Sequence, residues 1–303
     1  MSSNNTFAPI FIITLNRFVH FERCVKSLSE CLYADQTDLY IALDYPANDS
    51  HVEGYSKILN FIPTIKGFKS VILIKREKNF GIKRNYFDGL DYVLSRHNSL
   101  LFSEDDNIFS TDYLNFMNQC LVAYEHDNRI LTVCGYNYPI TMPEGYKRTE
   151  YIWSGHSAWG FGLWKYKWEQ VSWSNEDIFS NILSFIRRPI QLMRFTGIAN
   201  HLLDALFTML KMKRIDGDVY LCLYQFINKK YSVFPSVSRV KNHGHDGSGS
   251  HCMAAEGHVY KNQEVYKGTH DYKIIGNAQI DNAVFQRVRF FFKRPNYLLF
   301  IGY

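Results

Sequence analysis

Several features that would place a chain in a large protein class are missing from this sequence of 303 residues. No run of about 18 apolar residues occurs, so we expect no segment that spans a bilayer. Neither GxGxxG nor GxxxxGKS/T occurs, which excludes a dinucleotide-binding Rossmann fold and a P-loop. The six cysteines are scattered without a CxxC pair, which excludes zinc-finger spacing and favours reduced thiols in a reducing compartment.

Strong charge and a targeting segment are also missing. A net charge of +5 is too weak to indicate nucleic acid, so we expect no nucleic-acid partner. Residues 1–6 are polar and uncharged, without the basic region that opens a signal peptide. Together with the reduced cysteines, this predicts a cytoplasmic protein. A hydrophobic content of 46% predicts a globular fold, and an aromatic content of 16% suits a protein that buries rings around a ligand or lies against a membrane.

Apolar, β-branched runs alternate with helical patterns over the first 105 residues or so. This alternation predicts a doubly wound α/β sheet with its ligand site at the carboxyl ends of the strands. The predicted strands are 7–16, 38–44, 70–75 and 100–102, and the predicted helices are 17–31, 52–62 and 78–94.

The second half of the sequence is less regular. A further strand is predicted at 129–135, and residues 176–212 have a helical pattern with a break near Pro189. Residues 219–226 are also predicted to be helical.

The most informative motif is Ser-Glu-Asp-Asp-Asn at residues 103–107, directly after a predicted buried strand. Carboxylates packed together there repel one another unless a cation or hydrogen bonds neutralise them. Hard divalent cations such as Mg²⁺ and Mn²⁺ prefer such oxygens, and they often bind through one or two carboxylates plus substrate phosphates. The alternative is a solvated acidic turn, with the residues at 110–112 capping the next helix.

This triplet resembles the Glu-Asp-Asp motif of GT-A glycosyltransferases, in particular the N-acetylglucosaminyltransferase I type and bacterial family-2-like sugar transferases. The resemblance continues at Thr-Val-Cys-Gly-Tyr-Asn (132–137), a strand that follows the triplet in those families. Three later segments resemble, in order, their acceptor-side loop, their acidic segment with the catalytic base, and a strand near the chain's end. These segments are 153–160, 216–220 and 232–244.

The resemblance implies a GT-A fold, a doubly wound mixed sheet with a Rossmann-like N-terminal half. It implies one continuous domain, in which residues 1–135 bind a nucleotide sugar and residues 136–303 bind the acceptor, supply the base and end in a basic, aromatic tail. The same resemblance gives roles to several residues in the first half. Asn16 and Arg17 would open the nucleotide pocket, and Asp44 would accept the uracil N3–H. Lys83 and Arg84, with Asn79 and Gly81, would face the diphosphate at a helix entry, although solvated helix charges are the alternative for the two cations.

For the reacting groups, the resemblance implies that Asp106 binds Mn²⁺ or Mg²⁺, while Glu104 and Asp105 contact sugar, ribose or metal-bound water. His251 would be a further metal ligand, with an ordinary loop histidine as the open alternative. Asp218 would be the base that takes the acceptor proton and inverts the anomeric carbon. Asp216 is the competing base, and helix capping is the alternative for Asp218. The acceptor side would hold Trp153, Gly155, Trp159 and Gly160.

The function implied is inverting, metal-dependent transfer from a nucleotide sugar, UDP-linked by resemblance, to a hydroxyl of a bacterial surface glycan or glycolipid. Two alternatives stay open. A sugar nucleotidyltransferase would also use acidic metal ligands, but it usually has a glycine-rich loop where this chain has residues 15–18. A non-catalytic carbohydrate- or membrane-binding protein would use the aromatic residues without metal.

Two segments interleave cations with large apolar residues, namely 185–214 and 287–300. Cations near lipid phosphates and rings in the headgroup layer would hold the protein at the inner face of the cell membrane, where a lipid-linked acceptor is found. The alternative for the second segment is a helix whose phenylalanines pack on the core.

Overall fold

Ten strands and ten α-helices make up the part of the chain that the computed structural model describes, namely residues 7–244, 246 and 263–293. The strands are β1 (Ile10–Thr14), β2 (Asp38–Leu43), β3 (Ser70–Lys75), β4 (Ser99–Glu104), β5 (Asn107–Phe109), β6 (Ile130–Cys134), β7 (Glu150–Trp153), β8 (Phe161–Trp164), β9 (Tyr231–Pro235) and β10 (Val240–Asn242). The helices are α1 (Phe18–Ser29), α2 (Val52–Phe61), α3 (Gly81–Leu94), α4 (Tyr113–Ala123), α5 (Lys165–Trp168), α6 (Asn175–Ile186), α7 (Pro189–Thr196), α8 (His201–Met212), α9 (Gly217–Asn228) and α10 (Asn282–Phe292).

Eight of these strands form one mixed sheet in the order β3-β2-β1-β4-β8-β6-β9-β7. The first four are parallel to one another, β8 is antiparallel to both of its neighbours, and β9 is parallel to β6. The carboxyl ends of β1, β2 and β4 therefore meet at one edge of the sheet. The predicted fold class, a doubly wound α/β mixed sheet, is confirmed, and the sheet runs without interruption across residue 135.

The first half follows the sequence pattern because its strands are covered by helices and so are apolar throughout. Ile10, Phe11 and Ile12 are all buried. In α1, Phe21, Val25 and Leu28 form the buried face that their spacing predicts.

The second half differs from the prediction in two places. The predicted helical stretch 176–212 is three helices, because a second break at residues 197–200 follows the break near Pro189. The predicted strand in 232–244 is two strands in different sheets. The turn at residues 236–239 redirects the chain, so that β10 pairs with β5 in a separate antiparallel sheet.

The described C-terminal segment closes the fold. Residues 263–281 run beside β10 and α4, and the backbone N–H of Tyr266 donates to Ser238 at 2.8 Å. In α10, Phe291 and Phe292 are buried, so this part of the predicted basic, aromatic tail packs on the core. Among the described residues, no helix combines the length and the apolar character of a membrane span.

Candidate active site

A cleft of about 440 Å³ lies at the carboxyl ends of β1, β2 and β4. Polar ends of these strands meet there because they are parallel and adjacent in the sheet. The polar residues that line it are Thr14, Asn16, Arg17, Asp44, His51, Asn79, Asn85, Glu104, Asp105 and Asp106. Eight of the predicted donor-side and metal-side residues are therefore brought together, namely Asn16, Arg17, Asp44, Asn79, Gly81, Glu104, Asp105 and Asp106.

Arg17 neutralises the acidic motif. Its Nη2 donates to Oδ1 of Asp105 and lies 2.9 Å from Oδ2 of Asp106. Burial works against the charge of Arg17, but the two carboxylates outweigh it and raise the pKa of the guanidinium above its usual value. Thr14 donates its hydroxyl to the other oxygen of Asp105 at 2.8 Å. Arg17 thus contacts the two carboxylates in addition to lining the predicted nucleotide pocket.

Asp106 is fixed by the small second sheet. Oδ1 of Asp106 accepts from the side-chain amide of Asn242 at 2.7 Å, and its carbonyl accepts from the N–H of His243 at 2.8 Å. A Cβ at Gly244 would overlap Oδ2 of Asp106, so only glycine allows the chain to pass this close. The pairing of β10 with β5 therefore sets the orientation of the predicted metal ligand.

The donor set fits a hard cation held by few protein ligands. Within the described residues, no cluster of three or more histidine, cysteine or acidic side chains has a metal-binding arrangement. Mg²⁺ and Mn²⁺ do not need one, since they bind through one or two carboxylates when phosphates and water complete the shell. Asp106 and Asp105 supply such carboxylates in the cleft, and Arg17 lies beside both of them. The other predicted ligand, His251, lies outside the described residues.

Asp44 lines the cleft and contacts the N-terminus of α3. Its carboxylate already accepts from the backbone N–H groups of Tyr45, Phe80 and Gly81 at 2.8–2.9 Å and from the amide of Asn79 at 3.3 Å. A carboxylate is favoured at a helix N-terminus, and here it occupies the N-terminus of α3. A uracil N3–H would therefore have to compete with these four N–H groups for the carboxylate oxygens of Asp44.

Of the residues predicted to face the diphosphate, Asn79 and Gly81 line the cleft, and Lys83 and Arg84 do not. The N–H of Gly81, where φ is 72°, faces Asp44. Lys83 donates to Asn175 at 2.6 Å, while Arg84 lies over the ring of Phe80 and 3.4 Å from Asp88. Both cations are exposed and neither lines the cleft, which agrees with the alternative of solvated helix charges.

Glu104 connects the acidic motif with the predicted base. Burial, and then the charges of Asp106, Asp218 and Asp105, raise the pKa of Glu104 well above its usual range. Glu104 lines the cleft, and the charges of Asp106 and Asp218 both act on it.

The two acids before and within α9 have separate roles. Asp216 caps the helix, because its Oδ1 accepts from the N–H groups of Asp218 and Val219 at 3.1 and 3.2 Å. Asp218 is not the cap, and its Oδ2 accepts from the N–H of Ala158 at 3.1 Å. Loss of hydration, and then the charge of Asp216, raise the pKa of Asp218 to about 7, although 46% of the side chain is exposed. Such a pKa suits a general base at neutral pH.

The predicted acceptor side is mostly core packing. Trp153 is 3% exposed and stacks on Phe292 with ring centroids 5.7 Å apart. It belongs to the buried strand β7 and not to the predicted loop. Gly155 leaves room for the Trp153 ring, and Gly160, with φ of 68°, accepts from the N–H of Gly135. Of the four predicted residues, only Trp159 keeps a partly exposed side chain.

Asp112 does not cap α4, which corrects the alternative for residues 110–112. Its side chain makes no capping hydrogen bond and is fully buried against Arg239. A polar side chain buried with an arginine binds that partner in preference to a backbone N–H.

Sequence reasoning missed Thr14, Asn242 and Gly244 as parts of the site. Thr14 has no signal in the sequence, since a threonine in an apolar strand is ordinary. Asn242 and Gly244 lie in the segment 232–244, which the sequence analysis did single out. Their role depends on the pairing of β10 with β5, and the sequence gives no sign of a contact between residues 135 positions apart, such as Asn107 and Asn242.

Comparisons with known proteins give a distant similarity in structure. No protein-family model matches the chain, and no curated protein matches it. Among solved structures, the mannosyltransferase PcManGT from Pyrobaculum calidifontis, in complex with GDP-Man and Mn²⁺, matches at 12% identity and a TM-score of 0.34, over 56% of this chain and 48% of that chain. S. aureus TarS matches at 12% identity and 0.31, over 46% and 23%, and TarS 1–349 at 12% identity and 0.36, over 51% and 46%.

These structures are glycosyltransferases, the class that the sequence motifs also resemble. The chain spans less than half of the length of each of these three. Likenesses with such low TM-scores do not define the activity of this chain, which has to be inferred from its own site.

Proposed function

We propose that this protein is an inverting, metal-dependent glycosyltransferase that moves a sugar from a nucleoside-diphosphate sugar to a hydroxyl acceptor. One observation carries the proposal. The acidic motif at the end of β4 lines a cleft of nucleotide size, and Glu104 couples it electrostatically to Asp218, an acid with a raised pKa. Transfer needs both parts, one for the departing diphosphate and one for the acceptor proton.

Asp218 is the proposed base. The N–H of Ala158 orients its carboxylate, and Asp216 holds the first turn of α9 below it. A hydroxyl that donates to Asp218 loses its proton as the oxygen attacks the anomeric carbon from the face opposite the leaving diphosphate. Attack from that face inverts the anomeric configuration.

Asp106 and Asp105 are the proposed holders of Mn²⁺ or Mg²⁺. A bound divalent ion would supply positive charge beside the diphosphate oxygens. Arg17 already contacts both carboxylates, so it stays next to the same negative charge and is placed to contact a phosphate. Asn242 keeps Asp106 pointing into the cleft.

The donor nucleotide remains part of the proposal. The sequence resemblance favours UDP, and the solved mannosyltransferase named above was bound to GDP-Man. Asp44 is occupied by four N–H groups, so selection of the base is assigned to other groups lining the cleft, among which Asn16 and His51 are polar.

The acceptor is proposed to be a glycan or a lipid-linked sugar of a bacterial surface polymer, reached at the inner face of the cell membrane. The support is the surface of α6, α7 and α8. Five large apolar residues on these helices are 44–71% exposed, namely Leu183, Ile190, Met193, Phe207 and Met212. Exposed cations stand beside them at Arg187, Arg188, Arg194, Lys211 and Lys213. Such a surface suits an anionic bilayer.

The function is tested by thermal unfolding with UDP-, GDP- and dTDP-sugars, each with Mn²⁺, with Mg²⁺ and with EDTA. A sugar nucleotide at about 100 times its Kd stabilises the folded state by about 2.7 kcal/mol. We expect this stabilisation with metal only, followed by transfer to an acceptor with inversion of configuration. Asp106→Asn should lose the metal-dependent part and remain folded, because the substitution relieves repulsion between acids.

Asp88→Asn is the matched control, since Asp88 is an acid on the exposed face of α3 and does not line the cleft. It should respond to nucleotide sugars as the wild type does. Equal stabilisation of the wild type and Asp106→Asn would contradict the metal assignment. Formation of a nucleotide sugar from a sugar phosphate and a nucleoside triphosphate would instead indicate the nucleotidyltransferase, and binding without any turnover the non-catalytic protein.

A further inference from the structure

A buried histidine faces the proposed base. His156 follows β7, is 4% exposed, and packs edge-on against the ring of Phe161. Its Nε2 lies 3.9 Å from Oδ1 of Asp218 and has no hydrogen-bond partner within the described residues. A buried ring nitrogen without a partner is costly, so this arrangement needs an explanation.

The other ring nitrogen ends a chain of buried polar groups. Nδ1 of His156 lies 3.1 Å from the hydroxyl of Thr132, and that hydroxyl lies 2.7 Å from the hydroxyl of Ser232. The side-chain amide of Gln225 donates to Ser232 at 2.6 Å. All four side chains come from different elements, β6, β9, α9 and the loop after β7, and all four are buried.

The hydrogen bonds of this chain decide which ring nitrogen of His156 carries the proton, and each of the two hydroxyls can serve as donor or acceptor. In the direction that we propose below, Ser232 accepts from Gln225 and donates to Thr132. Thr132 then donates to Nδ1 of His156, which leaves the ring proton on Nε2. Burial lowers the pKa of His156 to about 3, so the imidazole is neutral at ordinary pH and carries this one proton.

We propose that His156 is a positioning residue for Asp218, with the relay Gln225–Ser232–Thr132 holding its Nε2–H toward the carboxylate. This inference rests on the proposed function, because it gives Asp218 its orientation as the base. Ala158 N–H donates to Oδ2 and Nε2 of His156 lies 3.9 Å from Oδ1, so each oxygen of the carboxylate has a nitrogen of the loop between β7 and β8 on its side. Active-site hydrogen bonds are often long without substrate and tighten when it binds.

Other titratable groups also face Asp218, and they set the background for any pH profile. They are Asp216 before α9, Glu104 on β4, Tyr86 on α3, Cys134 on β6 and Cys222 on α9. None of these side chains carries an N–H, whereas Nε2 of His156 lies 3.9 Å from Oδ1 of Asp218. Removing this donor destabilises the charged form of Asp218, which shifts its titration upward.

Kinetics test the proposal through variants that differ in one donor. We expect His156→Leu to lower kcat about tenfold, the usual effect of one lost hydrogen bond at a reacting group. Its acid limb of kcat against pH should move up by about one pH unit. His156→Gln should restore much of both, since its amide N–H reaches the position of Nε2. In the Asp218→Asn background, His156→Leu should cost nothing further. Additive losses, or an unmoved acid limb, would overturn the proposal.

A spectroscopic readout separates this inference from the proposed function. In ¹⁵N-histidine spectra, the signals that disappear in His156→Gln belong to His156, and they should show a neutral Nε2–H ring from pH 5 to 9. Thr132→Val should alter that pattern, and Thr132→Ser should keep it. A ring that is protonated on Nδ1 overturns the relay, whether or not transfer is observed. Absence of transfer in the wild type, with the tautomer as expected, counts against the proposed function alone.

Discussion

Two acids two positions apart, Asp216 and Asp218, show how little a sequence motif says about individual residues. Both stand at the start of α9, and both satisfy the pattern of a catalytic acid. The backbone separates them, because the residue before the first turn accepts N–H groups from the helix while the residue within the turn points away from it. Asp216 therefore caps the helix, and Asp218 is the acid that we propose as the base.

Substitutions at these two acids should separate stability from rate. Asp218→Asn should lower the rate roughly 10²–10⁴-fold without loss of donor binding. Asp216→Ala should cost about 1 kcal/mol of stability, whereas Asp216→Asn, which still caps, should cost almost none and keep the rate. Urea unfolding and saturated turnover measure the two effects.

The pH dependence follows from the raised pKa of Asp218, about 7. The base acts as a carboxylate, so turnover should fall as the pH drops through 7. Ionisation of a group with a raised pKa opposes folding, so Asp218→Asn should be at least as stable as the wild type at pH 8. A turnover profile that is flat between pH 5.5 and 8 would contradict the assignment of Asp218 as the base. A slow Asp216→Asn together with a fast Asp218→Asn would make Asp216 the base instead.

At the scale of elements, the segment from residue 263 to 281 is attached by one buried cluster. Asp112, at the start of α4, accepts from Arg239 at 3.2 Å and from the hydroxyl of Tyr272 at 2.6 Å. The ring of His270 lies 3.0 Å from its other oxygen. Arg239 is sandwiched between the rings of Tyr266 and Phe116, with its carbon 4.0 and 4.6 Å from their centroids. The cluster joins three parts of the chain.

Breaking this cluster should be far more costly than breaking a surface pair. Asp112→Ala leaves a fully buried guanidinium without its partner, so we expect a loss of about 3–5 kcal/mol in urea unfolding. Asp127→Ala removes an acid from a pair with Arg129 that is partly exposed, and should cost about 1 kcal/mol or less. Amide exchange should also become faster at Tyr266 and Ile274 in Asp112→Ala alone. Similar losses in the two variants would show that the cluster does not hold the segment.

Helices and strands that follow from the local pattern of apolar residues were predictable from the sequence. Elements whose position depends on a partner far away in the chain were not. Strands β1 to β4 follow apolar runs, and α3 ends at Leu94 as predicted. The separation of β9 from β10 depends on which sheet each joins, and Asp112 was misread because its partners follow it by more than 120 positions. In the site, the clustering of acids at one sheet edge was predictable from strand order. The use of Asp44 as a cap and the burial of Trp153 were not, since both depend on packing.

At the scale of the whole molecule, helices α6, α7 and α8 carry exposed apolar side chains, with exposed cations on or next to them. Ile190 and Met193 are 64% and 71% exposed, one turn apart on α7, which packs on α8. We expect the protein to float with vesicles that contain anionic lipid, less so at high salt, and not with neutral vesicles. Ile190→Asp with Met193→Asp should abolish flotation, because the change removes apolar contact and adds repulsion.

The matched control is Val122→Asp, since Val122 is 69% exposed but lies on α4. It should float as the wild type does. Flotation of the double variant, or none for the wild type on any lipid, would count against a membrane role for this surface.

The side-chain hydrogen bonds that hold Asp105 and Asp106 join residues far apart in the chain. Thr14 and Arg17 reach Asp105 across 91 and 88 positions, and Asn242 reaches Asp106 across 136. Contacts over such separations form later in folding than local helices do. While the protein is being synthesised, residue 242 must therefore have left the ribosome before Asp106 can take up this orientation. The cleft is complete only after both sheets have formed.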